Sequence, residues 1–371
     1  MNETNETNET NKHKFAEVFT PPELVKEILE KIETITTFKS KRVYEPGVGK
    51  GAFLNQIKDF VSYDGCEINP TQDFKNDKIN IFEGDFFNHS LKEYDIIIGN
   101  PPFYQDGFKG PPCAKSRKGQ TIWPQIVKRC WDHLAPNGVL AMVLPCIWLK
   151  PDKEKIYDLF TGHQILYLRV YTCVESNKLF NYKAQTPCCY VIVKKTKAFE
   201  PNIIKIYDSS KESESKFVSF TLKPGYCIPT QNAKLIESFK PTMKINPIKI
   251  AFIKKELETQ LIKEPKKSKS KKDIYPLITT YKDTIYGYES IEPGKYQGIP
   301  KIIMAHKTFP ILFLDKDGTY GLYGRDKYVF TGTDILDQYE YLSQPIVQKI
   351  IKSFTVRMNF IEKDIFKYLS I

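Results

Sequence analysis

The chain has 371 residues, 41% of them apolar and 13% aromatic, with 55 Lys+Arg against 44 Asp+Glu. That is too much apolar sequence for a disordered chain and too much length for one ordinary domain, so two are expected. The net charge of +11 suits a polyanionic partner.

In chain order, residues 1–12 repeat Asn-Glu-Thr three times and then read Asn11-Lys12, and 1–14 are expected to form a disordered tail. The sequons this repeat spells are taken as coincidence, since no secretory signal is seen. Structure is expected from Phe15. Pro21-Pro22-Glu23 opens a helix with Thr20 as its cap, and Leu24, Val25, Ile28, Leu29 and Ile32 form the apolar face.

An alternation follows. Residues 42–45 read as a strand, then a glycine-rich turn at 47–51, then a helix to about Phe60. Strands are expected at 63–67, 79–82 and 94–98, a helix at 121–134, and further strands at 139–144 (after an Asn137-Gly138 turn), 165–171 and 189–193. Several are apolar on both faces, which predicts a mostly parallel sheet sandwiched by helices: an α/β, Rossmann-like domain over 15–198.

Beyond residue 199 the alternation weakens. Residues 199–272 hold 16 basic and 8 acidic residues, and 263–272 (KEPKKSKSKK) are too charged for a core. Short strand signals and turns recur over 299–331, and the last thirty residues look helical. A second, α+β domain is expected over 199–371. Eight cysteines lie at 66, 113, 130, 146, 173, 188, 189 and 227 with no CxxC pair, which reads as reduced thiols in an intracellular, soluble protein. Five scattered histidines offer no metal-ligand spacing, so no metal is expected.

Three acids and a proline-rich turn carry chemistry. Glu45-Pro46-Gly47-Val48-Gly49-Lys50-Gly51 follows a strand, and its glycines let a ligand approach the backbone. Glu67 ends the next strand and is placed to accept from ribose hydroxyls, with Ile68 beside it. Asp85 follows the third strand and is placed to accept from an adenine amino group, with Phe86 beside the ring. Asn100-Pro101-Pro102-Phe103 follows the fourth. An exocyclic amine conjugated to a purine ring is a poor nucleophile. The Asn100 side-chain oxygen and the Pro101 carbonyl can each accept one of its N–H bonds and aim its lone pair at a sulfonium methyl. Pro101 and Pro102 stiffen that loop, and Phe103 can stack on an extruded base. No covalent intermediate is needed.

These pieces, in their order of Phe19-Thr20-Pro21-Pro22, residues 45–51, Glu67, Asp85 and residues 100–103, resemble the γ-class amino-methyltransferases, the group of the TaqI-type DNA adenine methyltransferases. The resemblance covers about residues 15–195. It implies a seven-stranded, mostly parallel S-adenosylmethionine-dependent methyltransferase domain, followed by a smaller DNA target-recognition domain. It also implies that S-adenosyl-L-methionine is the cofactor. By resemblance Thr20 and Glu45 frame the methionyl end, Glu67 holds the ribose and Asp85 the adenine. A second aromatic, Phe180 with Tyr182 as rival, would sandwich the flipped base. The implied partner is double-stranded DNA, with a separate restriction endonuclease in a restriction-modification system, and the protein would act as a monomer or weak dimer.

Alternatives remain. Asn-Pro-Pro-aromatic also serves methylation of exocyclic amines in RNA, of glutamine side chains in release factors, and of cytosine N4. A non-catalytic DNA-binding specificity subunit is a different class, against which the presence of Glu67, Asp85 and Asn100 argues. The Pro-Cys pairs at 112–113, 145–146 and 187–188 lie away from the turn after the fourth strand, where cytosine-C5 chemistry would need its thiol. A fused nuclease is not expected, for want of room before Phe15 and of a pattern in the second half.

Overall fold

The structure is a computed structural model of the chain. It describes residues 18–74, 76–105, 120–181, 186–209, 216–250, 260–262, 275–281, 285–290, 293–306, 312–324, 326–354, 356–357 and 360–371. The tail at 1–14, Tyr182 and residues 263–272 lie outside the described residues. The chain divides into two compact units, Met1–Ala233 and Lys234–Ile371.

The first unit is built on one sheet. Its strands are β1 (Arg42–Pro46), β2 (Ser62–Glu67), β3 (Ile79–Glu83), β4 (Tyr94–Gly99), β5 (Leu134–Pro145), β6 (His163–Tyr171), β7 (Cys188–Lys197), β8 (Ile203–Tyr207) and β9 (Phe217–Thr221). The order across the nine-stranded sheet is β3-β2-β1-β4-β5-β7-β6-β8-β9. Strands β3, β2, β1, β4 and β5 are parallel. β7 runs antiparallel to β5 and β6, and β9 antiparallel to β8.

The expected seven-stranded, mostly parallel sheet is therefore corrected to a mixed sheet of nine. The extra pair also carries the first unit past residue 198, to Ala233. Both strands alternate, with Ile204, Ile206, Val218 and Phe220 buried and their neighbours more open. Such half-buried strands are harder to read than the continuous apolar runs of β4 and β5. β5 also runs straight through Asn137-Gly138, where a turn was expected. Asn137 takes the left-handed conformation (φ 61°) without ending the strand.

Helix α1 (Pro22–Glu33) buries Leu24, Val25, Ile28, Leu29 and Ile32, the face its spacing predicts. Its cap is Pro21 and not Thr20, and no side chain caps it; Thr20 is itself buried at 9% exposure. α2 (Trp123–Asp132) follows β4 as expected. α3 (Ile156–Thr161) and α4 (Cys173–Leu179) are shorter.

The helix expected after the glycine-rich turn is absent. One 3-10 turn, Leu54–Gln56, stands in its place. Gly47, Gly49 and Gly51 take φ of 85°, 55° and 71°, and three left-handed residues in five cannot belong to a right-handed helix. Phe53, Leu54, Ile57 and Phe60 are buried all the same, so the apolar pattern reflects core packing without helical periodicity.

The second unit holds two four-stranded sheets, β10-β17-β14-β15 and β11-β13-β12-β16. Here β10 is Ile248–Ile250, β11 Gln260–Ile262, β12 Tyr275–Tyr281, β13 Ile285–Ser290, β14 Lys301–Ala305, β15 Leu312–Asp315, β16 Gly321–Leu322 and β17 Lys327–Phe330. The helical end expected for the chain appears as α5 (Ile335–Ser343) and α6 (Pro345–Lys352), with a closing 3-10 turn, Lys363–Tyr368. Among the described residues no helix is long and apolar enough to cross a membrane.

One close contact sets the position of the glycine-rich turn. A Cβ on Gly65 of β2 would lie 2.4 Å from Val48 Cγ2 and 3.0 Å from Ile81 Cδ1, with the Glu45 carbonyl at 3.4 Å. Gly65→Ala is expected to cost about 1–3 kcal/mol through overpacking, measured as a lowered midpoint in urea unfolding with an unchanged slope.

Candidate active site

The strand order reverses between β1 and β4, which are parallel neighbours in register at Val43–Ile96 and Tyr44–Ile97. Open α/β sheets bind ligands at such a switch point, outside the carboxyl ends of the strands. The loops that leave β1, β2, β3 and β4 at that edge contain the glycine-rich turn, Glu67, Asp85 and Asn100.

These residues touch in sequence along the edge. A Cβ on Gly47 would lie 3.6 Å from Pro102 Cδ, so the glycine turn and the proline turn are in contact. The Glu67 carboxylate accepts from the Gly49 N–H at 2.7 Å and from the Asn69 N–H at 3.0 Å. The Gly84 N–H donates to the Glu67 carbonyl at 2.9 Å, which ties the loop after β3 to the end of β2. Asp85 is exposed, and among the described residues only its Oδ1 is engaged, accepting from the Phe87 N–H at 2.9 Å.

Asn100 is the best defined of these. Its Nδ2 donates to the Val18 carbonyl at 3.3 Å. Only the amide nitrogen can donate to a carbonyl, so this bond sets which way the amide faces. Oδ1 is left without a hydrogen bond from any described residue, and the same holds for the adjacent Pro101 carbonyl. Below, the Phe103 carbonyl accepts from the Ile122 N–H at 3.1 Å and Gln105 N–H donates to the Gln120 carbonyl at 2.8 Å. The proline turn is thus pinned on both sides. Phe103 is half-buried.

Phe19 and Thr20 come to the same place. The Phe19 ring lies 3.7 Å from where a Gly49 Cβ would stand, and the Lys50 ammonium sits 4.4 Å from the ring centroid.

Glu45 behaves differently from Glu67. It is 2% exposed and accepts from the Tyr63 hydroxyl. Burial pushes its carboxyl well above the usual carboxylate range. The Tyr63 bond pulls the other way, and nearby Glu67 adds to the rise.

Two expected ring roles are not supported by placement. Phe180 is 4% exposed inside the core cluster, so in this conformation it cannot stack on a base. Phe86 is 8% exposed and packs on Tyr44 and the Arg129 guanidinium. The open apolar side chains flanking the two carboxylates are Ile68, 51% exposed, and Phe87, 40% exposed. Reading the sequence missed Phe87, the Tyr63–Glu45 bond and the Val18 carbonyl. The second phenylalanine of Phe86-Phe87 was the available signal for the first, whereas a backbone carbonyl leaves no mark on the sequence.

The residues present fit a nucleoside cofactor. Glycines leave the backbone open, one carboxylate is oriented by two amide donors, and a second carboxylate keeps an unengaged oxygen beside an exposed ring.

Comparison with known proteins places similarity over the segment that contains these strand ends. Residues 26–180 match the Eco57I restriction-modification methylase family. The Type II methyltransferase M.CvrRI of Paramecium bursaria Chlorella virus XZ-6E is 34% identical over 139 residues, 34% of this chain and 36% of that protein. The Type II methyltransferase M.HincII of Haemophilus influenzae is 22% identical over 294 residues, 76% of this chain and 56% of that protein. The matched stretches thus span only 36% and 56% of these curated relatives' lengths. Among solved structures, the methyltransferase subunit of a type I restriction-modification system from Streptococcus thermophilus aligns with a TM-score of 0.38 and 16% identity. That alignment covers 56% of this chain and 51% of that one. The matched segment, which carries every strand end of the site, is similar to restriction-modification methyltransferases.

Glu45 yields a pH-dependent expectation. Its raised folded-state pKa means that the folded protein keeps a proton which the unfolded chain releases above the ordinary value of 4.5. Stability from this group is therefore full below that value and falls as pH rises toward the folded pKa, by at most about 1.4 kcal/mol per pH unit. Glu45→Gln has no proton to lose. Calorimetry should show the variant's melting temperature gaining on the parent's as the buffer is moved from acidic to mildly alkaline. A constant difference would mean that Glu45 is ionised in the fold.

Proposed function

We propose that the first unit transfers a methyl group from S-adenosyl-L-methionine to the exocyclic N6 of an adenine swung out of double-stranded DNA. The observation that carries this reading is the pair of unengaged acceptors, Asn100 Oδ1 and the Pro101 carbonyl, on a turn held rigid from both sides. Two adjacent acceptors match the two N–H bonds of a primary aromatic amine. When both are engaged, the nitrogen lone pair is drawn out of conjugation and becomes nucleophilic. Preorganisation matters here because the acceptors need no reorientation as charge develops.

The bound cofactor supplies an electrophilic methyl group on sulfur. Glu67 would hold the ribose hydroxyls and Asp85 the adenine amino group, with Ile68 and Phe87 on the ring faces. Gly47 and Gly49 keep the approach to the backbone clear, and Thr20 and Glu45 frame the remaining end. Phe103 would stack on the extruded base. As the N–CH3 bond forms the S–CH3 bond would break, its electron pair staying with a neutral thioether that leaves, and the nitrogen, now cationic, would lose one proton to solvent, since neither acceptor is basic enough to keep it. Relatives named as Type II methyltransferases are consistent with a modification enzyme that works beside a separate endonuclease. The second unit would read the target sequence.

The test uses tritiated cofactor with duplex DNA and with RNA of the same sequence, followed by identification of the labelled nucleoside. Label in N6-methyladenine from DNA is expected. Label in RNA alone, in a cytosine, or in no nucleic acid overturns the reading. Asn100→Ala should lower transfer at least about a hundredfold while the cofactor's dissociation constant changes little. Undiminished transfer by that variant would remove Asn100 from the mechanism.

A further inference from the structure

A second feature of the first unit is not used by this chemistry. On the face covered by α1, two lysines converge on one tyrosine. The Lys205 ammonium of β8 lies 3.4 Å from the Tyr167 hydroxyl and 5.2 Å from the ring centroid. The Lys31 ammonium, from the last turn of α1, lies 5.6 Å from the same centroid and 4.9 Å from that of Phe217 on β9. The Thr34 hydroxyl completes the group, 3.2 Å from the Tyr167 hydroxyl.

What is missing is negative charge. Among the described residues neither lysine has a carboxylate within ion-pair distance. The nearest acid on the helix face, Glu27, is committed to Arg169 and to the Tyr190 hydroxyl. The carboxyl end of α1 offers Lys31 only the partial charge of its carbonyls. The tyrosine registers the local field. Burial pushes its hydroxyl up, yet the Thr34 bond and the two ammonium groups outweigh this, and its pKa falls below the ordinary value.

Two cations held on aromatic faces, with no carboxylate at ion-pair distance among the described residues, form a receptor for an anion. We infer that Lys31 and Lys205 bind backbone phosphate of the nucleic acid whose base enters the Asn100 site, while the Thr34 hydroxyl donates to the Lys31 carbonyl at 2.8 Å and fixes the end of α1 beside them. α1 connects the two places. Its first turn follows Val18–Thr20 at the acceptor loop, and Lys31 lies nine residues further on, about 14 Å along the axis. That span is about four base pairs of duplex, so one bound stretch reaches both. The aromatic rings also limit the freedom of the lysine stems, which lowers the entropy lost when a phosphate is held.

This inference rests on the proposed function, and its test separates the two. Binding of a short fluorescent DNA duplex to the full chain is followed by anisotropy at a series of sodium chloride concentrations, with methyl transfer measured on the same preparations. Lys31→Gln with Lys205→Gln should reduce the slope of log affinity against log salt by about 0.9 per contact, about 1.8 for the pair. The doubly substituted Lys→Arg protein should keep the parental slope. At saturating DNA the Gln protein should transfer methyl groups at the parental rate, which also shows that it is folded. An active Gln protein with an unchanged slope overturns the phosphate contact and leaves the methyltransferase reading intact. A parent that binds duplex but transfers nothing overturns that reading while the slope still decides the patch. A parent that does not bind duplex overturns both. If the Gln protein is inactive or unfolded, Lys205→Gln alone is measured, and a slope that does not fall by about 0.9 overturns the inference.

Discussion

The site depends on the hydrogen-bonded pairing of β1 with β4. In sequence the two strands are separated by β2 and β3, yet in the sheet they are side by side, with those two strands displaced to one flank. Chains that leave adjacent parallel strands on opposite helical layers must part, and the gap lies at the carboxyl ends. The pairing brings the turn after β1 against the turn after β4, where Gly47 meets Pro102 and Gly99 packs on Glu45 and Pro46. Residues half a domain apart in sequence become one edge. The segment before α1 then closes that edge, through Phe19 over Gly49 and the Val18 carbonyl on Asn100. One interstrand register therefore sets a cofactor-side turn and an acceptor-side turn at a fixed separation.

Three carboxyl groups stand along that edge, and burial sorts them. Glu45 is enclosed and shares a hydrogen bond with Tyr63, so its charge is disfavoured. Glu67 is partly open and held by two amide donors, which orient its carboxylate in the absence of a ligand. Asp85 is exposed, with one oxygen capping a 3-10 turn and the other unengaged. Burial first, and then the nearby Glu67, disfavours charge on Glu45. Were Glu45 as exposed as Asp85, two anions would compete at the junction of β1 and β2. The acid with the least solvent therefore serves the fold of the turn, and the two with more solvent remain free for a ligand.

What the sequence reveals of this depends on where the information is stored. Strand ends were legible because a polar residue stands at or just past the end of β2, β3 and β4, so Glu67, Asp85 and Asn100 could be placed before any coordinates. The glycine turn was legible as a turn but not in its continuation. The apolar spacing of Phe53, Leu54, Ile57 and Phe60 imitates a helix, whereas the chain turns extended at Ile57 (φ −94°, ψ 119°) after a single 3-10 turn. Phe86 and Phe180 were misjudged for one reason. An aromatic next to a polar motif has the same letters whether its ring faces a ligand or the core, and the tertiary packing on Tyr44 or within the main cluster decides. β8 and β9 were invisible because an edge pair added to a finished sheet needs only two inward residues per strand. The second unit's buried Lys301–Asp315 pair was equally hidden, since a lysine in a strand reads as surface until a partner fourteen residues away is placed beside it.

The acceptor loop also limits what it can specify by itself. Two hydrogen-bond acceptors and a neighbouring ring discriminate an aromatic amine from other groups, and little else. They do not tell one adenine from another. Affinity for a nucleic acid comes mainly from phosphate contacts, which position the polymer without reading it, and sequence is read by contacts to base edges. A methyltransferase of the proposed design would therefore separate three tasks: chemistry at the strand ends, positioning by cations, and reading by a further surface. Under that proposal the first would fall to Asn100 and its neighbours. The second would suit Lys31 and Lys205, which have no carboxylate at ion-pair distance among the described residues. The chain's charge is distributed accordingly, with 16 basic against 8 acidic residues over 199–272 and a balance of 12 each over 273–371. A balanced surface gives little non-specific attraction. Under the proposed function base reading would be better served there, where binding would depend on matched hydrogen bonds more than on charge.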